Sequence, residues 1–305
     1  MPIDWQGSFG VDSTIISNFR NVSHQGQRST GAGTQEVSPA PGNENEASFQ
    51  SYLFKLSPII VINDTATVKA EFSSNYARGG RLGDDSTHSM NGGFTNALYY
   101  HNSSSGTDSI IFNHLYAEVY ASTATYLIGR HTHNWGLGAI YNSGEKKWDR
   151  HSSIRDGITM KIKLGNFKIE PFISKRASSG SLASTTKLGE WGTSLTYDNL
   201  ESNLSLGLYY AKISSGQNNS SLNEDVPGSS NDVAFGASDI KLTDFYITKS
   251  FKDIDLSLEV PLFTGTMGNV YQDGISTTYQ AQGFIFEAKY HYNNKWNFFL
   301  NAGMI

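Results

Sequence analysis

Two-residue alternation organises this chain. From Thr67 to Ser73, Val68, Ala70 and Phe72 fall on one face of an extended segment, and Thr67, Lys69, Glu71 and Ser73 fall on the other. Ile158, Met160, Ile162 and Leu164 alternate in the same way with Thr159, Lys161 and Lys163. Ile254, Leu256, Leu258, Val260 and Leu262 alternate with Asp255, Ser257, Glu259 and Pro261, and Leu204, Leu206, Leu208 and Tyr210 repeat the pattern. Thirteen such segments follow one another, near 3–18, 48–62, 66–76, 109–121, 125–138, 156–164, 167–177, 188–198, 203–214, 240–250, 254–264, 278–292 and 296–305. Most span 9–15 residues. Strands of ordinary globular domains average about 5–6 residues, whereas a tilted strand needs roughly 9–11 to cross a bilayer. The lengths therefore predict membrane-crossing strands.

The connections alternate between two kinds. Asn63-Asp64, Thr123-Ala124, Gly165-Asn166, Asn199–Ser202, Lys252-Asp253 and Asn293–Lys295 are short turns. The stretches 19–47, 77–108, 139–155, 178–187, 215–239 and 265–277 are long and rich in Ser, Gly and Asn. Short turns on one edge and long loops on the other are expected of an up-and-down barrel with periplasmic and extracellular ends. Phe167, Tyr197, Phe251, Tyr292 and Trp296 all sit beside short turns on the apolar face, as a membrane-interface girdle requires. Trp135, Trp191 and Tyr210 are candidates for the opposite girdle.

Composition sharpens this reading. Hydrophobic residues make up 38% of the chain and no run approaches a transmembrane helix. Aromatic residues reach 12%, there are 30 glycines against 7 prolines, and mean hydropathy is −0.38, as a polar lumen would cause. The formal net charge of −5 implies no nucleic-acid partner. With no cysteine, disulfides and thiolate metal sites are excluded. Met1-Pro2 running at once into strand-like sequence is expected of a mature exported chain whose signal has been removed.

Over essentially its whole length the segmentation resembles that of Gram-negative outer-membrane β-barrels and porins. The stretch Tyr126-Leu127-Ile128-Gly129-Arg130-His131-Thr132-His133-Asn134-Trp135-Gly136-Leu137-Gly138 is similar to a strand motif of porin-like barrels from predatory and social bacteria. That resemblance implies an all-β fold, a transmembrane antiparallel barrel filling 1–305 as one domain in the bacterial outer membrane. Bacterial barrels usually have an even strand number, and the chain ends Gly303-Met304-Ile305 where such barrels often end on an aromatic residue. About fourteen strands is therefore the expected number, with one still to be found.

The polar face predicts the lumen. Its basic candidates are Lys55, Lys69, Arg130, Lys161, Lys163, Lys168 and Lys289. Its acidic candidates are Glu71, Glu118, Glu170, Glu190, Asp244, Asp255, Glu259 and Glu287, so the signs nearly cancel. Tyr116, Tyr120, Phe172, Tyr209, Tyr246, Ile285 and Phe299 also point inward and predict a narrow or closed lumen. Ala66, Ala70, Ala117, Ala121 and Gly129 form a small-residue outer patch that would let barrels pack as a homo-oligomer.

Other chemistry is thinly represented. His131-x-His133 could form a metal clip that His151 approaches, but there is no thiolate and no carboxylate of diagnostic spacing, and no metal or cofactor is expected. Asp84-Asp85 and the acids from Asn223 to Asp232 lack a calcium-loop pattern. No hydrolase elbow, zinc-protease pair, phosphate loop or dinucleotide fingerprint occurs. An outer-wall Ser–His hydrolase would need His131 or His133 to face outward. Two functions lead: a channel passing small hydrophilic solutes among outer-membrane lipids, and a non-conducting oligomer organising lipid or surface contacts. A soluble, lectin-like domain would need a second sheet to cover the Leu256-Leu258-Val260-Leu262 row.

Overall fold

In the computed structural model the described residues are 3–17, 27–30, 33–36, 46–74, 78–81, 110–146, 149, 152–176, 188–215, 238–267, 277–292 and 296–304. They are strands, turns and irregular segments, and none of them forms a helix long and apolar enough to cross a membrane. The strands are β1 (Ile3–Ser17), β2 (Gln27–Thr30), β3 (Gly33–Glu36), β4 (Glu46–Asn63), β5 (Ala66–Ser74), β6 (Gly79–Arg81), β7 (Ile110–Tyr120), β8 (Thr125–Thr132) and β9 (Ile154–Leu164). Then follow β10 (Phe167–Arg176), β11 (Leu188–Asn199), β12 (Leu204–Ser215), β13 (Asp239–Ser250), β14 (Ile254–Thr266), β15 (Thr278–Gln282), β16 (Phe284–His291) and β17 (Asn297–Met304).

One 15-stranded antiparallel sheet holds all of these except the small β2–β3 hairpin. Its path is β1-β4-β5-β7-β8-β9-β10-β11-β12-β13-β14-β16-β17, each strand beside its sequence neighbour, which is up-and-down topology. β15 and β16 share one register against β14 and form a single physical strand. The ladder is interrupted between them because Pro261 has no N–H to offer, while Gly283 N still donates to Pro261 O at 3.0 Å. Joining these two leaves fourteen strands. Thirteen lie on the path, matching the alternating segments, and the fourteenth, β6, is a short strand beside β4 whose register is shifted from that of β5. Just before β6, Arg78 adopts a φ of 54°, and its carbonyl accepts from Phe54 N at 2.9 Å. Among the described residues no ladder joins β1 to β17.

The register defines two faces. Lys168↔Thr196, Glu170↔Ser194, Phe172↔Gly192 and Ser174↔Glu190 put polar and bulky side chains on one side of β10 and β11. Phe167↔Tyr197, Ile169↔Leu195 and Ile173↔Trp191 put apolar ones on the other. The apolar face is open: Ile173 is 63% exposed, Trp191 51%, and Leu208, Phe245 and Ile158 are exposed as well. The polar face is closed over, with Tyr209, Leu242, Asp244 and Glu259 at 0%. This inverts the soluble pattern, in which apolar side chains are the buried ones, and among the described residues no second sheet lies over Leu256, Leu258, Val260 and Leu262.

Candidate functional site: the lumen and its inward segment

The interior is filled by the segment that follows β8. Alternation predicts a strand to residue 138, but the chain leaves the wall at Thr132 and turns inward. The turn is made at Gly136 and Gly138, with φ of +51° and +88°, in the left-handed region that side chains disfavour. Within the segment Trp135 N donates to Tyr141 O at 3.0 Å and Gly138 N to Trp135 O at 2.9 Å. His133 N donates to Ser153 O and Ser153 N to Asn142 O, closing its base.

Aromatic rings anchor one side of this segment. Trp135, Tyr141, Phe172, Tyr209, Ala211 and Leu242 form the main buried apolar cluster among the described residues. Trp135 stands 5.3 Å from the Tyr209 ring and 6.3 Å from Tyr246, and His133 lies within 5.0–6.2 Å of Tyr141, Tyr209 and Phe172. Gly207 makes room for the indole, since a Cβ there would sit 2.7 Å from it. The Arg155 guanidinium stacks 3.4 Å over Phe172 and donates to Tyr209 Oη at 2.9 Å.

Hydrogen bonds to wall carboxylates fix the segment further. Leu137 N donates to Glu259 Oε2 at 2.5 Å on β14, and Tyr141 Oη donates to Glu190 Oε1 at 2.9 Å on β11. Across the lumen, Arg78 Nη1 donates to Gly144 O at 2.7 Å and to Asp149 O at 2.9 Å, while its Nε pairs with Glu71 at 2.7 Å. Asn113, the unmatched residue where the β5–β7 register shifts, donates to the same Glu71 oxygen at 2.7 Å. Arg78 is 2% exposed and Glu71 6%, so each charge depends on the other; breaking such a buried pair costs about 3–5 kcal/mol.

The segment thus runs from the β10–β14 wall to the β4–β5 wall. It divides the interior into an aromatic half beneath β9–β14 and a polar cavity of about 380 Å3 beside β1, β4, β5 and β7. Gln6, Ser8, Lys55, Glu71, His114 and Glu145 line that cavity. A second space of about 460 Å3 lies at the short-turn mouth, among Lys163, Lys168, Ser205 and Thr248.

Most of the predicted lumen residues occupy the inner face. Lys69, Glu71 and Glu118 lie there on β5 and β7, with Lys69 paired to Glu118. Lys161, Lys163, Lys168, Glu170 and Glu190 follow on β9–β11, with Lys168 Nζ 2.9 Å from Glu170. Asp244, Glu259, Glu287 and Lys289 complete it on β13, β14 and β16. Arg130 is a correction. Its ladder partners are Leu115 and Asp156 on the outer face, where it makes a two-pronged ion pair with Asp156 at 2.7 and 2.8 Å. Gly129 is the converse correction: it faces inward opposite Tyr116, so it leaves the small-residue outer patch. Ala66, Ala70 and Ala117 lie on the outer face, and Ala121 sits in the turn after β7.

Phe167, Tyr197, Phe251, Tyr292 and Trp296 stand beside the short turns, with Phe167 directly opposite Tyr197. Trp191 and Tyr210 are on the outer face near the long-loop edge, but Trp135, expected with them, is buried inside at 5% exposure. His131 also faces inward, its Nε2 2.8 Å from Thr159 Oγ1 and its Nδ1 3.1 Å from Gly129 O. With His133 in the aromatic nest, neither histidine is available on the outer wall, and no cluster of three metal-ligating side chains occurs among the described residues. His151, Asp84-Asp85 and Asn223–Asp232 lie outside the described residues. Sequence reasoning missed Arg78 and Arg155 as inner cations. Arg78 lies beyond the alternating segment 66–76, and Arg155 precedes the segment that alternation marks as β9.

No family model and no curated protein matches the chain. Among solved structures it is similar to Salmonella typhi OmpF in complex with daunomycin: TM-score 0.41, 11% identity, covering 99% of this chain and 89% of that one. It is similar also to a Rh. blastica porin mutant, with TM-score 0.38, 10% identity, and 99% and 94% covered. For Vibrio cholerae OmpT the values are 0.39, 8%, 99% and 85%.

Proposed function

We propose that the chain is a single outer-membrane barrel domain, a porin-like channel and not an enzyme, whose passage for small hydrophilic solutes is confined to one side of the lumen. The carrying observation is the inward segment 133–146. Bridging from Glu259 and Glu190 to Arg78, it fills the β9–β14 half with rings and leaves the polar cavity beside Lys55, Glu71 and His114. The open apolar outer face, strand length and one-edge aromatic row support the membrane setting.

Conductance across a planar bilayer tests this. Small, discrete steps with weak ion selectivity are expected, because acidic and basic side chains nearly balance on the inner face. Insertion without any conductance would sink the channel reading. That outcome favours a second one, a closed barrel working as a homo-oligomer, for which the density of the aromatic cluster and the outward Ala66, Ala70 and Ala117 speak.

A further inference from the structure

The outward placement of Arg130 reveals a row of charge that the inner-face inventory does not use. On the outer wall Arg130, Asp156 and Lys175 are directly in register across β8, β9 and β10. Two strands further on, Lys212 and Lys241 are directly opposite each other on β12 and β13. All lie at the edge from which the long connections 133–153, 177–187 and 216–238 leave the wall. On β8, β9, β10 and β12 the next outer positions toward the short turns are Ile128, Ile158, Ile173 and Tyr210, on β13 it is Thr243, and Trp191, directly opposite Lys212, packs edge to face on Tyr210 at 6.0 Å.

Charge in this row does not balance. Asp156 lies between two cations but is engaged by Arg130. Asp239 pairs with Lys212 at 2.8 Å, and Lys241 stands beside that pair. Lys175 and Lys241 are exposed and make no ion pair among the described residues. Like charges opposed across neighbouring strands are destabilising, so the Lys212–Lys241 pair is a feature that an external anion would relieve. The two uncompensated lysines stand three strands apart, roughly 14 Å at the usual strand spacing.

We infer that this rim, from β8 to β13, is a docking band for phosphate-bearing lipid headgroups of the leaflet at the long-connection edge. Charge complementarity selects the occupant: cations bordering an apolar and Trp/Tyr belt at the long-connection edge meet a bilayer at headgroup depth, where phosphates sit above acyl chains. The inference rests on the membrane reading, and its test separates the two.

Purified protein is mixed with phosphatidylcholine liposomes containing or lacking lipid A, floated to score insertion, and then examined by native mass spectrometry for retained lipid. The expected result is insertion in both liposomes and retention of lipid A by the wild type, weakening at high salt. The double variant Lys175→Ala/Lys241→Ala should insert equally but hold lipid A roughly twenty-five-fold less well, since each surface cation contributes about fivefold toward an anionic headgroup. Lys161→Ala/Lys163→Ala, on the inner face, should retain it as the wild type does. Equal retention by the outer-face variant, or an equal loss from the inner-face one, overturns the docking band alone. Failure of the wild type to float overturns the membrane reading and the band with it.

Discussion

At Gly207 one missing methyl group decides how the lumen is filled. A Cβ built there would lie 2.7 Å from the Trp135 indole, which is only 5% exposed, and 3.2 Å from Tyr246. The constraint is steric and not conformational, so any side chain brings it into play. Gly207→Val is expected to destabilise the protein by about 1–3 kcal/mol through overpacking. Urea unfolding should show the loss, and Trp135 displaced toward water should shift the native tryptophan emission to the red. A native spectrum and midpoint equal to the wild type would mean that the indole does not occupy this notch. Little of this was legible beforehand, because a glycine between Leu206 and Leu208 reads only as a gap in the polar face.

At the scale of elements, the strands were legible and the inward segment was not. Alternation recovers the wall because each side of it meets one kind of surroundings. It fails where the phase is ambiguous: Tyr126, Leu127 and Ile128 are all apolar, and only the pairing of Tyr116 with Gly129 determines that Gly129 faces in and Arg130 out. It fails again past Thr132, where His133 and Trp135 keep a two-residue spacing after the chain has left the sheet. Gly136 and Gly138 were the available sign, since two left-handed glycines cannot continue a strand. The segment's obstruction can be measured through Trp135→Ala. Removing a ring that is 5% exposed should cost about 3–5 kcal/mol if the site does not collapse. It should also open the aromatic half, so single-channel conductance is expected to rise. A conductance unchanged in a folded variant would place the restriction elsewhere, most simply at the polar cavity by Lys55 and Glu71.

For the whole molecule the decisive property is which face meets water. The inner wall carries carboxylates, lysines and tyrosines closed over by the inward segment, whereas the outer wall carries open rows such as Leu195, Leu208 and Phe245. A soluble sheet would have to bury those rows, and among the described residues nothing covers them. Adding one charge on either side of the same strand tests this directly. Leu208 lies on the outer face midway along β12, and an arginine near the bilayer midplane should cost about 2–4 kcal/mol. Ser205, a few residues away, faces inward and lines the space of about 460 Å3 at the short-turn mouth, so an arginine there has room and water. Folding equilibria in phosphatidylcholine liposomes should therefore show a large loss for Leu208→Arg and a change of less than about 1 kcal/mol for Ser205→Arg, the range expected of a substitution in a solvated site. In detergent-free buffer a membrane barrel has no stable fold in which to compare them. Equal penalties in liposomes, or a soluble fold indifferent to Leu208→Arg, would mean that the apolar face meets protein or water and not lipid.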